Sequence, residues 1–126
     1  MLPATGRFAL KNIGTGKTVG IEDVWYLTSG SCVEFEYHLD SDEVWGVLKP
    51  KGDHNNMVLD FYRRSRVFGI WRKHGGNNQR FRMEGKHLLS KTGYAVQARE
   101  DGKMGGSNPV CDDKNEQWEI VDSCDS

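Results

Sequence analysis

A chain of 126 residues with 37% apolar side chains holds enough material for one core and too little for two, so a single domain over 1–126 is expected. Lys and Arg number 17 against 18 Asp and Glu, a balance that leaves no field to steer the chain toward phosphate and argues against nucleic acid as a partner. No run of about 18 consecutive apolar residues occurs, and Met1 to Gly6 has neither the basic leader nor the apolar core of a signal peptide, so the chain reads as cytoplasmic without membrane insertion, or as secreted if a leader has been removed.

Fifteen glycines and short β-branched or aromatic runs between turn signals predict an all-β fold, and no window sustains a helical period. Gly6 to Asn12 alternates as a strand, the turn Gly14-Thr15-Gly16-Lys17 follows, and Thr18 to Ile21 completes a hairpin. Val24 to Leu27 and Cys32 to Tyr37 are the next strands. After a turn-rich break at Lys49 to Asp53 come Met57 to Tyr62, Arg66 to Trp71 and a polar loop from His74 to Asn78. His87 to Leu89 and Tyr94 to Ala98 precede a glycine-rich segment read as a loop, and a last strand begins at Trp118. Cys32, Cys111 and Cys124 are odd in number, which fits a reducing compartment better than a disulfide framework; a bridge between Cys111 and Cys124, which flank the last strand, is the pairing worth considering.

One pattern recurs through this order. Asn115-Glu116-Gln117-Trp118 has weaker copies at Asp42-Glu43-Val44-Trp45 and Asn78-Gln79-Arg80-Phe81, which places Trp45, Phe81 and Trp118 at intervals of 36 and 37 residues. Thr15 to Asp23 also aligns with Thr92 to Glu100. A unit of that length cannot bury its apolar face alone and must pack against its copies, and closure of the strands removes exposed edges. On these motifs the chain resembles the ricin-B type β-trefoils, whose repeats carry a Gln-x-Trp signature; here it reads Glu-x-Trp, Gln-x-Phe and Glu-x-Trp. The resemblance implies three pseudo-symmetric units of about four strands, near 6–48, 49–85 and 86–122. It also places Trp45, Phe81 and Trp118 in the core, with the residue two before each bonded to backbone.

In sugar-binding members of that family a repeat supplies a strand Asp, an aromatic ring and an Asn just before the signature Gln. The chemistry is that of a pyranose: its C–H face packs on a ring, and its hydroxyls need a carboxylate acceptor and an amide that both donates and accepts. The second unit matches with Asp60, Trp71 and Asn78, and His74 and Asn77 lie in the same loop. A bland alternative has Trp71 buried and Asp60 capping a turn. In the first unit the Asp position is Gly20. In the third, Gln97 and Asn115 make a weaker second site, for which stacking would have to come from Tyr94. Glycans or glycoproteins are therefore the expected partners, while the oligomeric state is not legible.

Arg63-Arg64-Ser65-Arg66 with Arg72-Lys73, interleaved with Phe61, Tyr62 and Trp71, reads as a solvated hairpin face in a near-neutral protein, the alternative being a patch for acidic sugars or a nucleic-acid strand. No nucleophile, acid–base pair or triad order stands out, so an enzyme is not expected. His38, His74 and Cys111 each precede a motif aromatic by seven residues, yet hairpin tips held apart would not converge on an ion, so no metal or cofactor is expected. The alternative to a lectin-like function is a protein-binding trefoil such as a protease inhibitor, using Gly102 to Pro109 or Tyr26 to Ser31 as an exposed loop.

Overall fold

The computed structural model describes residues 2–3, 6–21, 25–28, 32–52, 56–108 and 113–124. Among them are twelve strands and two short 3-10 turns, Asn77–Gln79 and Lys114–Glu116, with no α-helix. The strands are β1 (Ala9–Asn12), β2 (Thr18–Ile21), β3 (Trp25–Thr28), β4 (Phe35–Leu39), β5 (Gly46–Pro50), β6 (Met57–Tyr62), β7 (Val67–Arg72), β8 (Phe81–Glu84), β9 (His87–Ser90), β10 (Ala95–Ala98), β11 (Met104–Ser107) and β12 (Trp118–Val121). A four-stranded sheet runs β12-β1-β2-β3, and an eight-stranded sheet runs β4-β5-β8-β9-β10-β11-β7-β6. All the pairings are antiparallel: short turns dictate this between consecutive strands, and β1 with β12, β5 with β8 and β7 with β11 pair the same way across the chain. Bridges from Phe8 to Phe35 and from Tyr26 to Lys103 join the two sheets.

The core lies between them and is aromatic. Phe8, Phe35, Phe61, Phe68, Phe81 and Trp118 are all buried, together with Leu10, Leu48, Leu59, Leu88 and Met104. The Trp118 indole donates to the Val96 carbonyl at 2.9 Å, so its one polar atom is satisfied inside. Tyr37 likewise donates its hydroxyl to the Phe81 carbonyl at 2.6 Å, and burial, reinforced by Asp40 and Asp42, pushes its phenol up to about 12.

Two of the three motif aromatics thus sit where expected, and the third does not. Trp45 is only half-buried, with the Arg82 guanidinium 5.0 Å and the Lys91 ammonium 6.0 Å from its ring centre. The local cause is the turn before it. Gln79 and Glu116 are fully buried in 3-10 turns, whereas Glu43 is exposed with a φ of 58°, and Asp42 instead accepts from the Val44 and Trp45 amides. Without a buried group two residues ahead, the ring stays at the surface and cations cover it.

The glycine-rich segment read as a loop is largely a strand. β11 pairs along its length with β10, and Met104 is fully buried. Its glycines are packing positions: a Cβ at Gly106 would come within 2.7 Å of the Phe61 ring, and one at Gly105 within 2.6 Å of the Arg99 side chain. The inhibitor-like loop proposed there is therefore withdrawn for Met104–Ser107, and Ser29 to Ser31 and Pro109 lie outside the described residues. The cysteine reading changes too, because Cys124 is bonded to Cys32, with Cα atoms 5.7 Å apart. A Cys111–Cys124 bridge is excluded by that pairing, and Cys111 itself lies outside the described residues.

Candidate functional site

The β6–β7 hairpin builds the site. Six residue pairs hold it in register, with Asp60 opposite Gly69 and Val58 opposite Trp71. Period-two alternation then sends Leu59, Phe61 and Phe68 into the core and puts Asp60, Tyr62, Gly69 and Trp71 on the other face. Trp71 is 57% exposed, which disposes of the buried-ring alternative. Tyr62 braces it edge-on, with ring centres 6.4 Å apart and planes at 84°. Tyr62 is itself pinned, donating to the Ile70 carbonyl at 2.6 Å and lying across Gly69, where a Cβ would come within 2.5 Å of the phenolic oxygen. Gly69→Ala is accordingly expected to lift Tyr62 off the sheet and cost about 1–3 kcal/mol in a denaturant titration, with a change in near-UV circular dichroism from Trp71.

Asp60 lies at the base of this face, 4% exposed. Its carboxylate accepts from the Asn78 amide at 3.0 Å on one oxygen and from the Gln79 amide at 2.8 Å on the other. Gln79 cannot turn, because it also donates to the Arg72 carbonyl at 2.9 Å and accepts from the His74 amide at 2.8 Å. His74 Nδ1 accepts from the Gly76 amide at 3.0 Å, which directs Nε2 toward Asp60, 3.6 Å away. A side chain at Gly76 would collide with both His74 and Asn78. Burial raises the Asp60 carboxyl above the ordinary range, and Gln79, His74, Asn78 and Arg63 each act against that shift.

Asp60, Trp71, His74 and Asn78 line one open cleft of about 390 Å³ together with Tyr62 and Arg63. Each carboxylate oxygen retains acceptor capacity for a further hydroxyl, and Trp71 offers a ring face beside it. Asn77 does not join them: it is exposed and borders a neighbouring cleft with Lys91 and Tyr94. Tyr62 and Gly69 were missed in sequence, although their two-residue offsets from Asp60 and Trp71 on paired strands were the available signal.

Gln97 and Asn115 also meet, across a second cleft of about 490 Å³. Gln97 stands opposite Gly105 just as Asp60 stands opposite Gly69, and Arg99 lies on Gly105 as Tyr62 lies on Gly69. The second cleft lacks a ring. Ser107 occupies the register position of Trp71, and Tyr94 packs 4.9 Å from Phe61 and borders the other cleft, so it does not supply the stacking once considered. Glu100 and Asp101 stand on its rim where the first cleft has Arg63 and Arg64, with Arg99 beside them. In the first unit Gly20 faces Tyr26, so no carboxylate or amide is available at that position.

No family model and no curated protein sequence matches this chain. Solved structures do, 40 chains in all. The likeness is one of fold. A GlcNAcα1-4Gal releasing endo-β-galactosidase from Clostridium perfringens superposes with a TM-score of 0.76 at 11% identity, over 93% of this chain and 32% of that one. A chain of the PSL1a–E64 complex gives 0.75 at 11% identity, over 95% and 48%. A mosquitocidal holotoxin gives 0.76 at 14% identity, over 98% and 18%. The chain thus spans less than half the length of each of these neighbours.

Proposed function

We propose that the chain is a ricin-B-like β-trefoil that binds carbohydrate without transforming it, through the cleft of its second unit. The observation that carries this reading is the exposed Trp71 ring standing beside a buried, fully oriented Asp60 carboxylate. A pyranose laid on the indole would present hydroxyls to the free acceptor sites of Asp60, while Asn78 offers its remaining amide capacity. His74 closes one side, its Nε2 standing 3.6 Å from the Asp60 carboxylate. The endo-β-galactosidase among the fold neighbours agrees with a sugar-directed role.

The test is a glycan array followed by calorimetry on the best ligand. Trp71→Ala is expected to weaken binding by about tenfold or more. Because the ring is exposed, its stability should stay within about 0.5 kcal/mol of the parent. Unchanged affinity in that variant would reject the site.

A further inference from the structure

Beside the sugar cleft lies a second opening of about 470 Å³, bordered by Arg63, Arg66, Asn77, Lys91, Thr92 and Tyr94. The two share Phe61 and Arg63 in their walls and so adjoin one another. Three cations line this opening and no carboxylate does, in a protein whose net charge is −1. Neither Arg63 nor Arg66 has a carboxylate within ion-pair distance among the described residues. Lys91 is within electrostatic reach of Asp42 and Arg63 of Asp60, which leaves Arg66 as the main source of uncompensated positive potential, with Lys91 and Arg63 adding to it. Arg66 is held over the Tyr94 ring, 5.8 Å from its centre, by a backbone with a φ of 58°, a left-handed conformation that arginine rarely adopts. Thr92 and Asn77 add neutral polar groups at the rim.

We propose that this opening takes the anionic substituent of an acidic glycan, a sulfate ester or a carboxylate, whose adjoining sugar rests on Trp71 and bonds to Asp60. The inference rests on the carbohydrate reading above and narrows it to charged glycans. A single-stranded nucleic acid fits less well. The ring at this opening, Tyr94, is covered by Phe61 and Arg66 and is not free for base stacking.

Matched neutral, sulfated and sialylated lactosamines, bound to the parent and to an Arg66→Gly, Lys91→Ala double variant, provide the test. Glycine accepts the backbone at position 66 without strain, so the fold is retained. At low ionic strength the charged glycans are expected to bind the parent about tenfold more tightly than the neutral one, and the gap should close in the double variant and in high salt while neutral binding persists. A preference for sulfate or for carboxylate identifies the substituent, and either supports the proposal. Equal binding of charged and neutral glycans by the parent, or an advantage that survives the double substitution, overturns it while leaving the sugar cleft intact. Absence of all glycan binding instead overturns the carbohydrate reading itself. Tighter binding of a single-stranded oligonucleotide, unaffected by Trp71→Ala, overturns both.

Discussion

Gln79→Leu is expected to lower stability by about 3 kcal/mol at neutral pH and to abolish glycan binding, because it strips a buried carboxylate of its best-fixed donor. Leucine fills similar space but offers nothing to Asp60, to the Arg72 carbonyl or to the His74 amide, all of which Gln79 now satisfies. The loss should depend on pH in a stated direction. The Asp60 carboxyl is already raised by burial, so folding favours its protonated form, and its contribution to stability is greatest below the ordinary carboxylate range and declines as pH rises through the folded value. Removing Gln79 removes an interaction that favours the charged form and moves that value further up. The deficit of the variant should therefore shrink on acidification, as measured by urea unfolding at a series of pH values. Sugar binding in the parent should fall on acidification at a pH above that of an exposed aspartate, since a protonated Asp60 loses acceptor capacity. A pH-independent deficit would show that Gln79 acts on the backbone alone.

Loss of the Cys32–Cys124 bond is the second large effect, expected to cost about 4.6 kcal/mol on the loop-closure argument for a separation of 92 residues. Cys32 lies just before β4, at the edge of the larger sheet, and Cys124 just after β12, at the edge of the smaller one, so the bond ties one sheet to the other. The neighbouring contacts are weak substitutes: the Cys124 amide donates to Glu34 at 3.3 Å, and Glu34 pairs with Lys51 at 3.9 Å. A Cys32→Ser, Cys124→Ser variant, or the reduced parent, should show a correspondingly lower thermal midpoint, and peptide mapping without reductant should recover the 32–124 linkage. Equal midpoints with and without reductant would contradict the assignment. A bond of this kind is kept in oxidising surroundings, so the cysteine count no longer speaks for a reducing compartment.

Much of this site could be read from residue spacing, because period-two alternation and the motif interval act on backbone geometry alone. Met57 to Tyr62 is a strand over the residues expected, and Asp60, Trp71, His74 and Asn78 meet in one cleft. What escaped the sequence depends on contacts between distant residues. β11 looked like a loop because glycine has no side chain to favour a strand, yet Gly105 and Gly106 are where Arg99 and Phe61 need space. Trp45 carries the same motif letter as Trp118, but a left-handed Glu43 replaces the buried group that draws the ring inward. Asn77 neighbours Asn78 in sequence and still faces away, since one step along a 3-10 turn rotates a side chain by about a third of a circle. The partner of Cys124 lay 92 residues away, beyond the reach of any local pattern.

The opposed rims of the two related clefts, Arg63 and Arg64 on one and Glu100 and Asp101 on the other, have a further consequence. On the proposed carbohydrate reading, clefts whose rims differ in charge would favour different glycans, and a lone chain would have a single hold on any one of them. It would coat a decorated surface without cross-linking cells, and agglutination would require several chains to be carried on one scaffold.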